Sequence, residues 1–254
     1  MRLDGIGMIA ADTSRSKAYL QALLRHDLNP DHVLVLRNPG HGTLPGQTAA
    51  KQVRSAAEGP DGLAECWSEA QFDVCEPVEV TLQRMHTIVE IIECADVNDS
   101  VVVDRVRRMP QSVLIYSGYG GVLLKKEILS AGKKFLHVHG GYLPDYKGST
   151  TNYYSLLADD SLGASSLFLS EQIDSGPVLR RRKFPPPADR QAIDHVYDSA
   201  ARARVLVDTL LSYAETGTWQ FELPENSGGE TYYVIHPVLK HIAILAHSGE
   251  EESR

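Results

Sequence analysis

Apolar residues in the first part of the chain form short continuous runs separated by a stretch with helical spacing. The runs Leu3 to Ala10 and His32 to Leu36 have the length of buried strands. From Ser16 to Arg25 the apolar residues recur with the period of an amphipathic helix, and Asp12-Thr13-Ser14 offers its cap. A strand, a helix and a second strand in this order predict a parallel pair, the usual start of an α/β sheet.

The middle of the chain has clear and ambiguous stretches. Val113 to Tyr116 has the pattern of a buried central strand, and Asn98 or Asp99 is a suitable cap for a helix that runs to Arg108. Three stretches are ambiguous. Gln47 to Ala70 predicts an interrupted helix, and Val78 to Val80 a strand or a loop. Leu82 to Cys94 could be a helix, yet Thr87 to Ile92 has strand propensity.

The second half repeats the alternation of strands and helices. We expect strands at Phe135 to His139 and Ala164 to Leu169, a helix at Thr150 to Leu157, and the longest helix from Ala188 to Tyr213. Thr231 to Pro237 predicts a last extended segment, and Val238 to Ala246 a last helix. The fold class is therefore α/β, with a Rossmann-like, mostly parallel sheet and helices on both faces. It comprises one domain over residues 1–213 and a short C-terminal extension over residues 214–254.

Two histidines and one aspartate follow or end predicted strands beside glycine-rich backbone. His137 and His139 are two apart on one strand, so their side chains point to the same face. Asp174 lies in the polar turn Ile173-Asp174-Ser175-Gly176-Pro177 that follows the next strand. Since sites in α/β sheets lie at strand ends, these three residues are candidates for one site.

The segment His139-Gly-Gly-Tyr-Leu-Pro-Asp-Tyr-Lys-Gly148, followed by Ile-Asp174-Ser-Gly-Pro, resembles the formyltransferase superfamily. In that family an Asn-x-His pair on a strand and a distant aspartate transfer a formyl group from N10-formyltetrahydrofolate to an amine. The resemblance implies catalytic roles for His139, Asp174 and His137, with His137 in the place of the family asparagine. It covers about Val113 to Leu179, and in size the chain is nearest to the sugar-nucleotide N-formyltransferases.

The resemblance also implies positions for the folate and for the acceptor. The folate would bind at the loop that follows the central strand, Gly118, Tyr119, Gly120, Gly121, Val122 and Leu123. Glycines there let a flat heterocycle approach backbone hydrogen-bonding groups. Tyr142, Ser149, Thr150 and Asn152 are candidates to line the acceptor pocket. The acceptor is expected to be a small-molecule amine, with an amino sugar nucleotide as one candidate, because the tail is too short for a tRNA-binding barrel.

Composition and charge limit the kinds of partner that we expect and indicate a compartment for the protein. The net charge of −8 disfavours a nucleic-acid partner, and the absence of an apolar run of about 20 residues excludes a predicted membrane span. The three cysteines, Cys66, Cys75 and Cys94, lack metal-site spacing, and their odd number fits a reducing cytoplasm. We therefore predict a cytoplasmic enzyme without a bound metal, for which a homodimer is one expected state.

Two other functions use the same residues. Two histidines and an aspartate are also a set that could hold a divalent metal, so His137, His139 and Asp174 fit a metal-dependent hydrolase. The replacement of the family asparagine by His137 also fits a relative that binds the ligands without catalysis. Formyl transfer remains the primary prediction, since neutral His137 can donate a hydrogen bond through one ring nitrogen in place of the asparagine amide.

Overall fold

The chain opens with the strand, helix and strand that its apolar pattern predicts. The computed structural model describes residues 2–38, 71–94 and 96–246. Strand β1 covers Arg2–Ala11, helix α1 Ser14–Arg25 and strand β2 Asn29–Arg37. The hydroxyl of Thr13 accepts from the amide of Ser16 and so caps α1, as the polar residues before the helix predict. The predicted interrupted helix Gln47 to Ala70 lies outside the described residues.

Among the described residues, seven strands form one sheet and two further strands form a small one. The next strands are β3 Ile88–Glu93, β4 Val113–Ser117, β5 Lys134–His139, β6 Tyr146–Gly148, β7 Leu162–Phe168, β8 Val178–Phe184 and β9 Glu230–Tyr232. The large sheet has the order β3-β2-β1-β4-β5-β7-β8, and β6 pairs with β9. The pairs among β1 to β5 are parallel, whereas β7 and β8 run antiparallel to their neighbours. The predicted mostly parallel sheet is confirmed.

The sheet order reverses direction between β1 and β4. Strands β2 and β3 lie on one side of β1. The chain then crosses back, and β4 and β5 lie on the other side of β1. A crevice opens at the carboxyl edge of such a switch point, and ligands of open α/β sheets bind there. The residues that follow β1 and β4 therefore flank the place where a site is expected.

Helices cover both faces of the sheet. They are α2 Val78–Leu82, α3 Ser100–Arg108, α4 Lys126–Leu129, α5 Thr151–Asp159, α6 Asp198–Thr216 and α7 Pro237–Leu245. One buried cluster joins the sheet to α1 and α6, and a second joins the other face to α3 and α4. Two separate apolar clusters are what a sheet buried on both faces requires.

Three predicted elements differ in the structure. Val78 to Val80 is the start of helix α2 rather than a strand or a loop, because Pro77 at the N-cap cannot continue a ladder and presets the first turn. Leu82 to Cys94 does not form the possible helix beyond the end of α2, and the strand propensity of its β-branched residues is confirmed by strand β3. The helix predicted from Ala188 to Tyr213 is three consecutive elements, a 3₁₀ turn Arg190–Ala192, a π-helix Ile193–Tyr197 and then α6.

The segment after α6 returns to the loop that follows β5. Strand β9 pairs in parallel with β6, and the amide of Ser149 donates to the carbonyl of Tyr232 at 2.9 Å. The boundary predicted at residue 213 stays a prediction, since α6 continues to Thr216 before Gly217 ends it with a left-handed backbone. Among the helices of the described ranges, none has both the length and the apolar character that crossing a membrane requires.

Candidate active site

The predicted histidine and aspartate meet at the carboxyl end of β5. Nδ1 of His139 lies 3.3 Å from Oδ2 of Asp174, and both side chains are about nine-tenths buried. Nε2 of His139 lies 2.7 Å from the carbonyl oxygen of Tyr146. A carbonyl only accepts, so Nε2 carries a hydrogen, and the Nδ1 contact is favourable only when a proton lies between Nδ1 and Oδ2. The two residues therefore form a pair that shares a proton.

The environment of His139 weakens its hold on that proton. Burial lowers the pKa of His139 from its ordinary value, and the Asp174 carboxylate opposes the shift by favouring the charged ring. Burial thus weakens the hold of the His139 ring on a proton that the Asp174 carboxylate favours.

Backbone contacts fix the carboxylate of Asp174. The residue has a left-handed backbone with a φ of 48°, and Oδ2 accepts from the amide of Gly148 at 2.9 Å. The side-chain amide of Asn226 donates to the carbonyls of Asp174 and Gly176 at 2.6 and 3.2 Å. Asn226 is buried and belongs to the C-terminal extension. The extension thus holds the turn that carries the aspartate.

Two features of the structure require glycine at position 148. Its φ is 98°, a region that other residues rarely adopt, and a Cβ atom there would lie 2.0 Å from the carbonyl oxygen of Tyr232. The close approach allows the β6–β9 pair to form beside the amide that binds Asp174. A larger residue at this position would therefore displace both the extension and the donor to the carboxylate.

His137 occupies a different environment from His139. Its ring is half-buried, with Nδ1 3.4 Å from the carbonyl oxygen of Tyr116. Burial is the largest effect on its pKa, which lies well below the ordinary value, and the positive charges of Arg15 and Arg202 lower it further. The ring is therefore neutral at pH 7. The structure brings His137, His139 and Asp174 to one end of the sheet, and their catalytic roles stay predictions.

Sequence reasoning missed a group of charged residues beside the crevice. Arg15, in the first turn of α1, donates through Nη2 to the carbonyl of Gly118 at 2.6 Å and through Nε to Ser117 at 3.3 Å. It thus bridges the ends of β1 and β4 across the switch point. In the described part of the chain no carboxylate pairs with Arg15. The residues around Arg15 at the start of α1 show no pattern that would indicate a functional residue. Its position beside the crevice is therefore seen only in the folded structure.

A second guanidinium lies behind the loop that follows His139. Nε of Arg202 pairs with Asp198 at 2.9 Å, and Nη1 donates to the carbonyl of Val138 at 2.9 Å. A Cβ atom at Gly140 would lie 2.3 Å from Asp198, so the loop passes directly over this pair. Tyr19 is fully buried near the same charges, and burial raises its pKa to about 12. Among the described residues Arg202 therefore has a carboxylate partner, whereas Arg15 has none.

The predicted folate loop follows β4 and borders the same crevice. Gly120 and Gly121 have open space where a Cβ atom would stand, and Leu123 is 63% exposed. The ring of Tyr119 is buried, and its hydroxyl donates to the carbonyl of Leu36 at 3.0 Å, so it anchors the loop to β2. The loop thus presents bare backbone and an apolar side chain, while Tyr119 holds it in place.

The predicted acceptor-binding residues make contacts within the protein. Both ends of the Asn152 amide are used, because Nδ2 donates to Asp198 at 2.8 Å and Oδ1 accepts from Gly163 at 2.9 Å. The hydroxyl of Thr150 accepts from the amide of Ile235 at 2.9 Å. Tyr142 lies under Arg181, whose guanidinium is 4.7 Å from the ring centre. Ser149 is exposed. The acceptor roles of Tyr142, Ser149, Thr150 and Asn152 stay predictions.

The geometry does not support the alternative of a metal-dependent hydrolase. The ring nitrogen Nε2 of His139 is engaged by Tyr146 and Nδ1 of His137 by Tyr116. Across residues 2–38, 71–94 and 96–246, no three His, Cys, Asp or Glu side chains are grouped so that they could hold a metal ion. The described contacts of the three side chains are hydrogen bonds and one ion pair.

Comparison with known proteins defines the class to which this fold and site belong. Residues 7–205 match the family described as formyl transferase. The chain belongs to this family, as the His139 and Asp174 motifs predict. The methionyl-tRNA formyltransferase of Finegoldia magna is 35% identical over 105 residues, which are 41% of this chain and 34% of that protein. The chain spans about a third to a half of the length of such curated relatives.

Solved structures of the same family share the fold. A sugar N-formyltransferase from Shewanella superposes with a TM-score of 0.55 at 12% identity, over 94% of this chain and 86% of that one. An N-formyltransferase from Helicobacter canadensis, in complex with folinic acid and dTDP-3-aminofucose, gives a TM-score of 0.54 at 13% identity, over 90% and 70% of the two chains. At these identities the likeness establishes the fold, which is the predicted α/β formyltransferase fold.

Proposed function

We propose that the protein transfers a formyl group from N10-formyltetrahydrofolate to the amine of a small molecule. The observation that carries the proposal is the buried His139–Asp174 pair, 3.3 Å apart, at the end of β5, which is the strand next to β4 and its switch point in a formyl transferase fold. A buried pair that shares a proton is suited to a reaction in which an amine loses a proton and a leaving nitrogen gains one. Family membership supplies the reaction class, and the pair supplies the proton chemistry.

The residues at the crevice fit a folate. A reduced pteridine is flat, with hydrogen-bonding groups along its edge, and the open backbone at Gly120 and Gly121 beside exposed Leu123 matches both properties. The Helicobacter relative binds folinic acid, which is a formyl-bearing tetrahydrofolate. We therefore propose that residues 118–123 bind the pteridine, while the hydrogen bond from Tyr119 to Leu36 anchors this loop to β2. When bound, the folate supplies the activated formyl group.

The chain's own residues would act on charge and protons at the formyl carbon. Arg15 places a positive charge beside Gly118, where it favours negative charge that develops on the formyl oxygen. His139 and Asp174 hold a proton next to the loop. Asn226 keeps Asp174 in position through the backbone of the turn. These contributions are independent of the acceptor's identity.

We propose a small, non-nucleic-acid acceptor, with an amino sugar nucleotide as the first candidate. The net charge of −8 disfavours a polyanionic partner, and the Helicobacter relative binds dTDP-3-aminofucose. Because Asn152 and Thr150 are engaged within the protein, they would support the acceptor pocket by holding its walls. A cytoplasmic location and a homodimer remain predictions; sedimentation of the purified protein would test the second.

Calorimetry with N5-formyltetrahydrofolate, a stable analogue, tests the folate site. We expect micromolar binding that a chelator does not alter, and weaker binding after Gly120→Val, which fills the open space beside the loop. His195→Asn changes an exposed residue on another element and serves as a control. Failure of the wild-type protein to bind would contradict the proposal. Binding without transfer to any amine would instead favour a non-catalytic relative.

A further inference from the structure

The histidine that replaces the family asparagine is held by a main-chain carbonyl. Strands β4 and β5 pair at Val113–Lys134, Leu114–Phe135 and Ile115–Leu136, and the ladder ends there. Beyond it, the ring of His137 lies 6.0 Å from the ring of Tyr116, and Nδ1 lies 3.4 Å from the carbonyl oxygen of Tyr116. The side chain of His137 therefore takes the place of the next ladder partner.

This contact determines which ring nitrogen carries the hydrogen. A carbonyl oxygen cannot donate, so Nδ1 of His137 is the donor and Nε2 of the neutral ring has a free lone pair. In the described part of the chain Nε2 has no hydrogen-bond partner. An asparagine side chain at the same position would present either an oxygen or an NH₂ group and can donate to a formyl oxygen. In this tautomer Nε2 of neutral His137, the nitrogen without a partner in the described residues, can only accept.

We propose that His137 is the catalytic base that takes the proton from the attacking amine through Nε2. This inference rests on the proposed function and replaces the donor role that the sequence assigns to His137. His139 is less suited to that contact, since both its ring nitrogens face protein atoms and it is 5% exposed. His137 keeps accessible surface at the same end of the sheet.

The transfer balances with His137 as the acceptor of the amine proton and the His139–Asp174 pair as the donor to the leaving nitrogen. The amine nitrogen forms a bond to the formyl carbon, and the bond between that carbon and the folate N10 breaks. One proton leaves the amine for Nε2 of His137, the proton shared by His139 and Asp174 goes to the departing N10, and the proton on His137 then replaces it on the pair. The products are a formamide and tetrahydrofolate, and His137 is again neutral. No further reactant is required.

The surrounding charges favour the neutral base. Arg15 on α1, Arg202 on α6 and His139 on the same strand each disfavour a second positive charge at His137. The Tyr116 carbonyl favours charge on the ring but contributes less than burial. A ring surrounded in this way is neutral at pH 7, so the lone pair on Nε2 is available to take a proton. The same charges explain why a histidine can stand beside His139 without mutual repulsion.

Nitrogen NMR of the histidine rings tests the tautomer without substrate. Spectra of the ¹⁵N-labelled full chain, with His137 assigned by its loss in His137→Asn, should show a neutral ring protonated on Nδ1 from pH 6.5 to 8, the range at and above the ordinary histidine pKa of about 6.5. A ring protonated on Nε2, or on both nitrogens at pH 7, would overturn the inference. The result does not depend on formyl transfer.

Kinetics test the role in transfer. The formyl donor is 10-formyl-5,8-dideazafolate, and the amines are dTDP-3-aminofucose and methoxyamine. We expect His137→Asn and His137→Gln to lower kcat by about 10²-fold or more, the usual contribution of a general base, with little change in KM. Added imidazole should restore part of the rate in His137→Gly. His195→Asn, an exposed histidine, should behave as wild type.

The outcomes separate this inference from the proposed function. Wild-type kcat and an unchanged pH profile in His137→Asn would overturn the base role while leaving formyl transfer intact. Transfer reduced in every His137 variant, with N5-formyltetrahydrofolate binding preserved, would support it. A wild-type protein that neither binds the folate analogue nor transfers formyl would overturn both.

Discussion

Asn226 holds Asp174 from the far end of the chain. Its Nδ2 atom lies 2.6 Å from the carbonyl oxygen of Asp174, and the two residues are 52 positions apart. The backbone of Asp174 is left-handed, a conformation that costs energy in a residue other than glycine. The contact offsets that cost and sets the direction of the carboxylate toward His139. A residue of the predicted C-terminal extension thus holds the turn that carries Asp174.

Removing the Asn226 side chain should loosen this turn. In Asn226→Ala the buried carbonyls of Asp174 and Gly176 lose their donor, which should lower the free energy of unfolding by about 1–3 kcal/mol. We also expect kcat to fall with little change in folate affinity, since Asp174 would lose its position. Urea unfolding and steady-state kinetics measure both effects. Gln220→Ala, an exposed change in the same extension, is the control. Unchanged kcat would show that the extension does not position the aspartate.

Asp174→Asn keeps the shape of the side chain but removes its charge. The proton between Nδ1 and Oδ2 would no longer be shared, because an amide does not exchange a proton with the ring. We expect kcat to fall by about 10²-fold or more, in line with general acid–base catalysis, in a folded protein. Asp104→Asn removes an exposed carboxylate of α3 and should have no effect. Near-wild-type turnover in Asp174→Asn would contradict the role of the pair.

Arg15 should contribute to catalysis through its charge. Arg15→Lys keeps the charge but loses the bidentate geometry, whereas Arg15→Ala loses both. If Arg15 favours negative charge on the formyl oxygen, Arg15→Ala should lower kcat by about 10–10³-fold, and Arg15→Lys by less. Fluorescence titration with the folate analogue measures binding separately. Equal losses in both variants, confined to folate affinity, would show that Arg15 only anchors the loop at Gly118.

The buried histidines should make stability depend on pH. Burial lowers the pKa of His137 and His139 in the folded protein, so below about pH 6.5 the unfolded chain binds protons that the folded one does not. The free energy of unfolding should therefore rise between pH 5 and pH 7. His137→Asn removes one of these groups and should flatten the rise in urea unfolding experiments. An identical pH dependence in the variant would mean that His137 titrates normally.

The main elements of the fold could be predicted because apolar periodicity encodes burial. Buried runs such as Val113 to Tyr116 became central strands, and helical spacing between Ser16 and Arg25 became α1. Predictions failed where the pattern of apolar residues is mixed. At Val78 to Val80, for example, the short helix follows from Pro77 rather than from a helical period of apolar residues. Local propensity decides such elements only when tertiary contacts agree with it.

From the sequence, only those site residues that lie at strand ends or within motifs could be predicted. The sequence places His139 and Asp174 beside glycine-rich turns, and the structure brings them together. Neither Arg15 nor Asn226 belongs to a recognisable motif. The switch point brings Arg15 to this edge of the sheet, and the β6–β9 pair brings the segment of Asn226 there. Asn152 is near the site in sequence, yet its amide faces Asp198 and Gly163. Proximity along a chain does not give the direction of a side chain.

Transfer of a labelled formyl group tests the central claim most directly. The full chain is incubated with N10-formyltetrahydrofolate carrying ¹³C in the formyl group and with dTDP-3-aminofucose or a panel of small amines, and products are analysed by mass spectrometry. The account predicts a labelled formamide that forms with the wild-type protein and is strongly reduced with Asp174→Asn. Label released only as formate, or labelled product formed equally by Asp174→Asn, would contradict it.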